Sequence, residues 1–285
     1  MNYAQIVWLA SYPKSGNTWI RCFLDAYYLG AVDLNDIICS VADDISTRYA
    51  VGDGSDIRTM PIDIQQLARP MAMLRLVRAF GAENTTGVPL FVKTHSANMV
   101  SNGVELLPRS LTRSVIHIVR DPRDVFLSFK RHMGVDSKKA LEYFFDKYRV
   151  LTDEREGAAK VGDLISSWYE HTRSFVSCGT HNILTIRYED MKAHPVAAFE
   201  LILKHAGVEP DRKRVELALD AVKLSKLKAQ EEEKGFKEAS PHTRFFGMGR
   251  GWEKELTPLE DRRIRERCGS MMKRFGYLNR GAKAA

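Results

Sequence analysis

Cysteine is scarce in this chain, with four residues among 285. The four are far apart in sequence and form no C-x-x-C pair, so their spacing indicates neither a zinc site nor a disulfide framework. We therefore expect reduced thiols, partly in the core, at Cys22, Cys39, Cys178 and Cys268.

Long apolar runs are also lacking. No segment approaches the ~20 apolar residues that a membrane span needs. The N-terminus enters its first apolar run without the basic region, long apolar stretch and cleavage site of a signal peptide. No linker rich in glycine, serine or proline divides the sequence. We therefore expect one cytoplasmic domain over residues 1–285, with no membrane partner.

Acidic residues are too few to balance the basic ones. The chain has 43 lysines and arginines against 36 aspartates and glutamates, a formal net charge of +7. This excess suits a polyanionic ligand, although nucleic acid or a membrane surface would fit the same charge. Hydrophobic residues make up 44% of the chain, enough for a sizeable α/β core. Charge by itself therefore leaves the class of partner open.

An anion-binding loop is indicated near the N-terminus. The tract Ser-Tyr-Pro-Lys-Ser-Gly-Asn-Thr-Trp, residues 11–19, follows an apolar run and precedes an amphipathic one. This pattern predicts a strand, a tight loop and a helix start. Backbone N–H groups, the helix dipole and Lys14 would then surround an anion. We expect Asn17 or Thr18 to cap the helix, and the Thr18 hydroxyl to reach a phosphate oxygen.

The loop differs from a Walker A motif, in which Lys directly precedes Ser or Thr, because Lys14 stands two residues before Gly16. Lys-Ser-Gly alone is compatible with an ordinary turn that exposes a lysine. The longer tract Tyr-Pro-Lys-Ser-Gly-Asn-Thr-Trp resembles the 5′-phosphosulfate loop of the cytosolic-type sulfotransferases, which use 3′-phosphoadenosine 5′-phosphosulfate (PAPS). Asn replaces the family's usual Thr or Ser at the sixth position of this tract. The resemblance implies that the donor is bound by Lys14, Ser15, Gly16, Asn17, Thr18 and Trp19.

A second strand is followed by a histidine. Residues 89–92 form a short apolar run typical of a buried parallel strand, and Lys93-Thr94-His95 follows it. In open α/β sheets, strand ends of this kind face the ligand crevice. A lone histidine is more often structural than catalytic. Lys-Thr-His, however, resembles the family's catalytic motif, which implies that His95 is the general base on the acceptor hydroxyl and Lys93 a cation near the transferring sulfuryl group.

A third strand, over 114–119, leads to Arg-Asp-Pro, in which Asp fits an N-cap and Pro the first helical position. A salt bridge from Arg120 to an acidic residue at this helix start is one interpretation. The segment also resembles the family's 3′-phosphate-binding motif. That resemblance implies that Arg120 and Ser128 hold this phosphate, and that Ser128 also holds Lys14 away until the acceptor binds.

Two later segments extend the resemblance. A strand over 182–187 leads to Tyr188, whose place resembles the family's purine contact. The tract 243–252 is similar to the family's C-terminal loop over the 3′-phosphate, although it lacks the Arg-Lys pair in register. The residues carried over are Gly249 and Arg250, with Arg244 as the alternative cation. The family's dimerisation motif is barely retained, so the oligomeric state stays open.

Two regions, residues 31–87 and 130–160, are expected to form lids or to bind the acceptor. For the first, a helical excursion that covers the sheet is the alternative, and no strand is expected there. Its acidic opening stretch would permit a cationic acceptor, but we expect a solvated loop. Helical periodicity predicts helices over 18–29, 64–80, 130–150, 164–176, 197–206, 211–227 and 259–275.

These features together predict an α/β fold, a single P-loop-like domain with a central parallel sheet flanked by helices. The resemblance implies in-line transfer of a sulfuryl group from PAPS to the hydroxyl or phenol of a small molecule, natural products included, without a nucleic-acid partner. A P-loop nucleotide kinase and a non-catalytic basic binding protein are the alternatives. No acidic site follows an apolar strand as in a Walker B motif, so no metal is predicted.

Overall fold

A parallel sheet runs through the computed structural model, which describes residues 5–47, 56–83, 87–152, 161–247 and 251–278. Its strands and the short strands outside it are, in chain order, β1 (Ile6–Ser11), β2 (Ser40–Ala42), β3 (Leu90–Thr94), β4 (Val100–Ser101), β5 (Val104–Glu105), β6 (Thr112–Val119), β7 (Val150–Leu151), β8 (Asp163–Leu164) and β9 (Ile183–Arg187).

The strand order in the sheet is β2-β3-β1-β6-β9, and all neighbouring strands are parallel. The carboxyl ends of these strands therefore lie at one edge. After β1 the chain forms β2 and then β3 on one side of it, and later β6 on the other side. A crevice forms at such a switch point in open α/β sheets, and it is the usual place for a ligand. The α/β class with a central parallel sheet is confirmed.

Helices cover both faces of the sheet. They are α1 (Asn17–Leu29), α2 (Asp43–Thr47), α3 (Ile62–Glu83), α4 (Pro122–Met133), α5 (Ser137–Phe145), α6 (Trp168–Val176), α7 (Tyr188–Ala193), α8 (Pro195–His205), α9 (Arg212–Ala221), α10 (Leu224–Lys234), α11 (Trp252–Glu255) and α12 (Pro258–Arg274). Of the described helices, none has the length and apolar character needed to cross a bilayer.

The central strand β1 is buried along its whole length, and its side chains alternate between two cores because successive residues of a strand point to opposite faces. Val7 and Leu9 pack with α1 and α8, whereas Trp8 and Ala10 pack with α3 and α6. The thiols of Cys22 and Cys268 are buried as expected. This double burial explains why β1 is almost uniformly apolar.

Most predicted elements are present, with shifted bounds. The strands predicted over 114–119 and 182–187 are present as β6 and β9, and the helix predicted over 259–275 is present as α12. The expected N-cap of α4 is also confirmed, since the Asp121 side chain accepts a hydrogen bond from the backbone N–H of Arg123.

Some predictions were wrong. Residues 31–87, in which no strand was expected, contain the edge strand β2, whose three residues are too few to show a pattern. The helix expected over 130–150 is interrupted at Gly134, which has a φ of +63°, and its end is the strand β7. The helix expected over 164–176 begins only at Trp168. The helix expected over 211–227 is divided between α9 and α10.

Candidate active site

A cleft of about 400 Å³ lies at the carboxyl edge of the sheet, between the loop after β1, the ends of β3, β6 and β9, and helix α4. Ten of the predicted site residues line it: Lys14, Gly16, Asn17, Thr18, Trp19, Lys93, His95, Arg120, Ser128 and Tyr188. Ser15 is buried beside them. Gly249 and Arg250 lie outside the described residues, although Gly247 and Gly251, on either side of them, line the cleft. The tertiary structure thus brings the separate motifs together.

Gly16 gives the loop its shape. Its φ is +107°, in the region that favours glycine. A Cβ at this position would lie 2.6 Å from Cδ2 of Tyr188. Both the backbone conformation and the tyrosine ring therefore exclude a side chain here. Lys14 also has a positive φ, +69°, which is uncommon for a residue with a side chain. The loop is tightly folded where the motif requires it.

Asn17 holds the loop onto β1 and does not cap the helix. Its buried Nδ2 donates to the carbonyl oxygen of Leu9 at 2.8 Å and to Oγ of Ser11 at 3.3 Å. The N-cap of α1 is Gly16, and no side chain caps it, so the expectation of an Asn17 or Thr18 cap was wrong. Because the first-turn N–H groups of α1 have no side-chain cap, they can serve an anion.

Lys14 is a partly buried cation that has no carboxylate partner among the residues that the structure describes. Its Nζ lies 3.9 Å from the centroid of the Phe245 ring. Burial, together with the nearby positive charge of Arg120, lowers the pKa of Lys14 to about 8. The ammonium is therefore held in an unfavourable environment that a bound anion would relieve. The predicted contact between Lys14 and Ser128 stays a prediction.

Arg120 joins three of the segments that line the cleft. Its Nη1 donates to the carbonyl oxygen of Lys14 at 3.0 Å, and its guanidinium lies 4.7 Å from the centroid of the Tyr188 ring. The salt bridge at the start of α4 is made by Arg123 with Asp121, at 2.6 Å. The alternative explanation of Arg120 as this ion pair is therefore wrong. The side of Arg120 that faces the cleft can bind an anion.

Tyr188 and Trp19 form an aromatic wall beside the loop. Tyr188 follows β9 directly and is the first residue of α7. Its ring lies 6.0 Å from that of Trp19 in an edge arrangement, and Trp19 in turn lies 5.2 Å from Phe199. Flat apolar surfaces next to phosphate-binding groups suit a nucleobase. This arrangement supports the predicted place of a purine.

The ring of His95 is held in one tautomer by β1. Its Nδ1 lies 2.8 Å from the carbonyl oxygen of Ser11. A carbonyl oxygen only accepts, so Nδ1 carries the hydrogen, and in the neutral ring the lone pair is on Nε2. An imidazole with an oriented lone pair in a cleft is competent as a general base.

Lys93 lines the cleft from the end of β3 and is ion-paired from behind. Its Nζ lies 3.4 Å from Oδ2 of Asp44. Burial alone would lower the pKa of Lys93, but the carboxylates of Asp44, Asp163 and Glu238 outweigh this effect and raise it. Lys93 therefore remains an ammonium at neutral pH.

Behind Lys93 lies a buried ion cluster formed by Asp43, Asp44, Arg69, Lys93 and Asp163. Arg69, on α3, donates to Asp43 at 2.5 Å and to Asp163 at 2.8 Å. Burial raises the pKa of Asp163 to about 7 and also raises that of Asp43. The expectation of a solvated acidic loop was therefore wrong for Asp43 and Asp44, because both aspartates neutralise cations in the interior.

Sequence reasoning missed two charged pairs in the cleft. Arg21 on α1 pairs with Glu238 at 2.7 Å, and Arg131 on α4 pairs with Glu255 at 2.6 Å. Arg21 could have been found, because residues three apart share a helix face and it follows Thr18 by three. Glu238 could not, because the segment after α10 has no regular pattern. The alternative cation, Arg244, pairs instead with Glu232 on the surface.

The cleft therefore combines cations at an uncapped helix start, an aromatic wall and an oriented imidazole. Such a site can bind a nucleotide through its phosphates and take a proton from a hydroxyl next to it. Within the described residues, no group of carboxylates, histidines and cysteines has the arrangement of a metal site.

Known proteins with similar sequences include several sulfotransferases. Sulfotransferase 1A1 of the dog is 24% identical over 231 residues, which cover 77% of this chain and 65% of the relative. The amine sulfotransferase of the rabbit is 27% identical over 193 residues, covering 65% of this chain and 50% of the relative. The chain thus spans one half to two thirds of the length of these relatives.

Similar folds occur in solved structures. The mouse sulfotransferase SULT7A1 complexed with PAP has a TM-score of 0.56 at 18% identity, over 94% of this chain and 84% of that one. Retinol dehydratase in a complex with retinol and PAP has a TM-score of 0.61 at 16% identity, over 94% and 81%. At these identities the likeness shows the fold, and it confirms the P-loop-like arrangement of sheet and helices.

A family model for the sulfotransferase domain matches residues 5–276. This range contains every predicted site residue. The comparisons support neither a kinase nor a non-catalytic binding protein. From the match over nearly the whole sequence, together with the cleft that joins its motifs, it follows that this chain belongs to the sulfotransferase domain family.

Proposed function

We propose that this protein is a PAPS-dependent sulfotransferase that transfers a sulfuryl group to the hydroxyl or phenol of a small molecule. The observation that carries the proposal is the convergence of Lys14, Lys93, His95 and Arg120 on one cleft beside Tyr188. The proposal includes the predicted single domain over residues 1–285 and its cytoplasmic location.

The residues present fit a nucleotide with several phosphates. Oγ of Ser15 and Nε of Arg120 are buried, and among the described residues they have no hydrogen-bond partner. Lys14 carries a charge that burial disfavours. The N–H groups at the start of α1 have no side-chain cap. Each of these donors would gain a partner from an anionic ligand, and the two neighbouring structures that were solved with PAP hold such a ligand.

On the donor side, Lys14 and the first turn of α1 would hold the 5′-phosphosulfate, with Ser15, Gly16, Asn17 and Thr18 shaping that turn. Arg120 and Ser128 would hold the 3′-phosphate, assisted by Gly249 and Arg250. Tyr188 and Trp19 would flank the purine. PAPS supplies an activated sulfuryl group on a phosphate leaving group. Lys14 would neutralise the charge that grows on the oxygen of this leaving group.

On the acceptor side, His95 would take the proton of the attacking hydroxyl on Nε2, since Nδ1–H is fixed on the carbonyl of Ser11. Lys93 would face the sulfuryl oxygens as a permanent cation. By analogy with phosphoryl transfer, positioning and charge stabilisation then supply most of the catalysis, and no covalent enzyme intermediate is needed.

The walls of the same cleft support the proposed acceptor class. Phe129, Leu151 and Phe246 provide apolar surface, and the pair of Arg131 and Glu255 provides polar contacts. This mixture suits a small organic molecule with at least one hydroxyl or phenol, natural products included. The predictions of no nucleic-acid and no membrane partner belong to this proposal.

Calorimetric titration with adenosine 3′,5′-bisphosphate (PAP), AMP and ATP–Mg²⁺ at one salt concentration tests the donor class. We expect tight binding of PAP and weak binding of the other two nucleotides, because only PAP offers a 3′-phosphate to Arg120 and Ser128. Equal affinities for all three would contradict the proposal and favour a kinase or a general anion-binding protein. A screen of phenols, alcohols and sugars with radiolabelled PAPS then identifies the acceptor.

A further inference from the structure

Arg21 is a buried cation in the cleft to which the proposed function gives no role. It lies on α1 one turn beyond the anion-binding loop, with 8% of its surface exposed. Its Nε donates to Oγ of Ser40 at 3.3 Å, and its Nη1 donates to Oε1 of Glu238 at 2.7 Å. Ser40 therefore fixes the guanidinium from behind, and its outer edge faces the cleft.

Glu238 places a carboxylate among the cations that converge on the cleft. Oε1 accepts from Arg21, and Oε2 accepts from the hydroxyl of Thr18 at 3.4 Å. The same carboxylate is close enough to Lys14 and Lys93 to raise the pKa of each. The Glu238 carboxylate thus lies between the loop after β1 and the end of strand β3.

The segment 237–245, which carries Glu238, also covers Lys14. Near its start, the backbone N–H of Lys237 donates to Oδ1 of Asn35 at 2.8 Å. Near its end, the backbone N–H of Phe245 donates to Glu231 at 2.6 Å, and the Phe245 ring lies over Nζ of Lys14. This segment therefore contacts two cations of the cleft. The Phe245 ring lies over Lys14, and the Glu238 carboxylate binds Arg21.

We propose that Arg21 is a further donor-binding residue that, together with Thr18, holds the sulfuryl end of PAPS, and that Glu238 occupies this position until the donor displaces it. This inference rests on the proposed function. A carboxylate offers two oxygens to Arg21 and Thr18, as two oxygens of a sulfuryl group would. A guanidinium is well suited to such paired oxygens because its N–H groups form a rigid fork.

The position of Arg21 favours the sulfuryl group over the 5′-phosphate. The uncapped N–H groups that suit the 5′-phosphate belong to the first turn of α1, whereas Arg21 lies one turn further along the helix. Arg21 is also near enough to Lys93 to oppose its charge. Lys93 and His95 stand at the end of β3, where the acceptor must meet the sulfuryl group. Arg21 therefore faces the part of the donor that PAP lacks.

Calorimetric titration of the full chain with PAPS and with PAP, without acceptor and with PAPS checked for integrity by chromatography, tests the inference. For Arg21→Gln we expect PAPS affinity to fall about 10- to 100-fold, the effect of losing a hydrogen bond to a charged group, while PAP affinity stays near that of the wild type. For Glu238→Gln we expect PAPS to bind about tenfold more tightly with a smaller gain for PAP, because the competing charge is gone.

Glu255→Gln is the matched control, since it removes one carboxylate from the same cleft, where Glu255 pairs with Arg131 at 2.6 Å. It should change the affinities for PAPS and PAP by the same small factor. Loss of affinity for both nucleotides in Arg21→Gln would assign Arg21 to the phosphates and overturn the inference. If that variant fails to fold, an unchanged ratio of PAPS to PAP affinity in Glu238→Gln overturns it. Failure of the wild type to bind PAP would instead overturn the proposed function.

Discussion

Two cations of the cleft, Lys14 and Arg120, are held differently from the cations of the buried ion cluster behind it. In the cluster, Arg69 and Lys93 are each paired with at least one carboxylate. In the cleft, Lys14 faces an aromatic ring, and Arg120 faces a backbone carbonyl and a ring. Among the described residues, neither of these two forms an ion pair within 4.0 Å.

This difference distinguishes cations that a ligand would compensate from cations that stabilise the fold. A buried cation without a counter-ion is unfavourable, and the free energy is recovered when an anionic ligand arrives. A buried cation with its counter-ions gains less from a bound anion, but its loss exposes the remaining charges to a low dielectric. The cleft is therefore prepared for a ligand, and the cluster joins the regions around it: α2 contributes two charged residues to it, and α3, β3 and β8 contribute one each.

The largest expected effect comes from the cleft. His95→Ala should lower turnover with the best acceptor about 10²- to 10⁴-fold, because a positioned general base is lost. PAP affinity should stay unchanged, since His95 faces the acceptor. Steady-state kinetics and calorimetry measure the two quantities. Near-normal turnover would remove His95 from the role of base.

Breaking the cluster should affect folding more than binding. Arg69→Met leaves Asp43 and Asp163 buried without their cation, which should lower the free energy of unfolding by about 3–5 kcal/mol. Urea denaturation measures this change. Arg78→Met on the exposed side of the same helix is the control and should change stability by less than about 0.5 kcal/mol. Equal effects of the two variants would show that the cluster contributes no stability.

Replacing Lys14 should weaken ligand binding and leave stability intact, which is the reverse of the result expected for Arg69. Lys14→Met should weaken PAP binding about 10- to 100-fold through loss of a charged hydrogen bond. The free energy of unfolding should stay the same or rise, because a partly buried ammonium with no carboxylate partner among the described residues is replaced by an apolar side chain. Calorimetry and urea denaturation on the same samples test both statements. A strongly destabilised Lys14→Met variant would make Lys14 a structural residue like Arg69.

The smallest expected effect is a proton taken up on binding. The pKa of Lys14 is about 8 in the ligand-free protein, and a bound phosphate raises it because opposite charges favour the ammonium. Above about pH 8 a growing fraction of Lys14 is neutral and must gain a proton, so PAP affinity should fall as pH rises. Titrations at pH 8.5 in buffers of different ionisation enthalpy detect this uptake. Lys14→Met should abolish it.

Local patterns in the sequence were sufficient for four of the five strands of the sheet, all except β2, and for most of the site. The strands before the motifs are short apolar runs, and each motif follows its strand directly. Because the strands are parallel, all of their carboxyl ends lie at one edge. The meeting of Lys14, His95, Arg120 and Tyr188 could therefore be expected before any distance was known.

The partners of the charged residues could not be predicted in the same way. The sequence shows Asp43 and Asp44 in an acidic stretch, but their burial depends on Arg69 and Lys93, which lie 26 and 49 positions further along. Likewise, Glu238 reaches Arg21 across 217 positions. No local periodicity encodes such pairs, because they depend on how the segments between the strands cross the strand ends.

The sequence by itself determined the α/β class, the order of the motifs and the residue types that the chemistry needs, since these follow from hydrophobic periodicity and from short-range loop geometry. Only the tertiary structure decided which charges are compensated. Coulomb interactions and burial act through space between residues that are distant in the chain. Lys14 faces an aromatic ring, whereas Lys93 is paired with Asp44. This contrast is therefore a property of the fold.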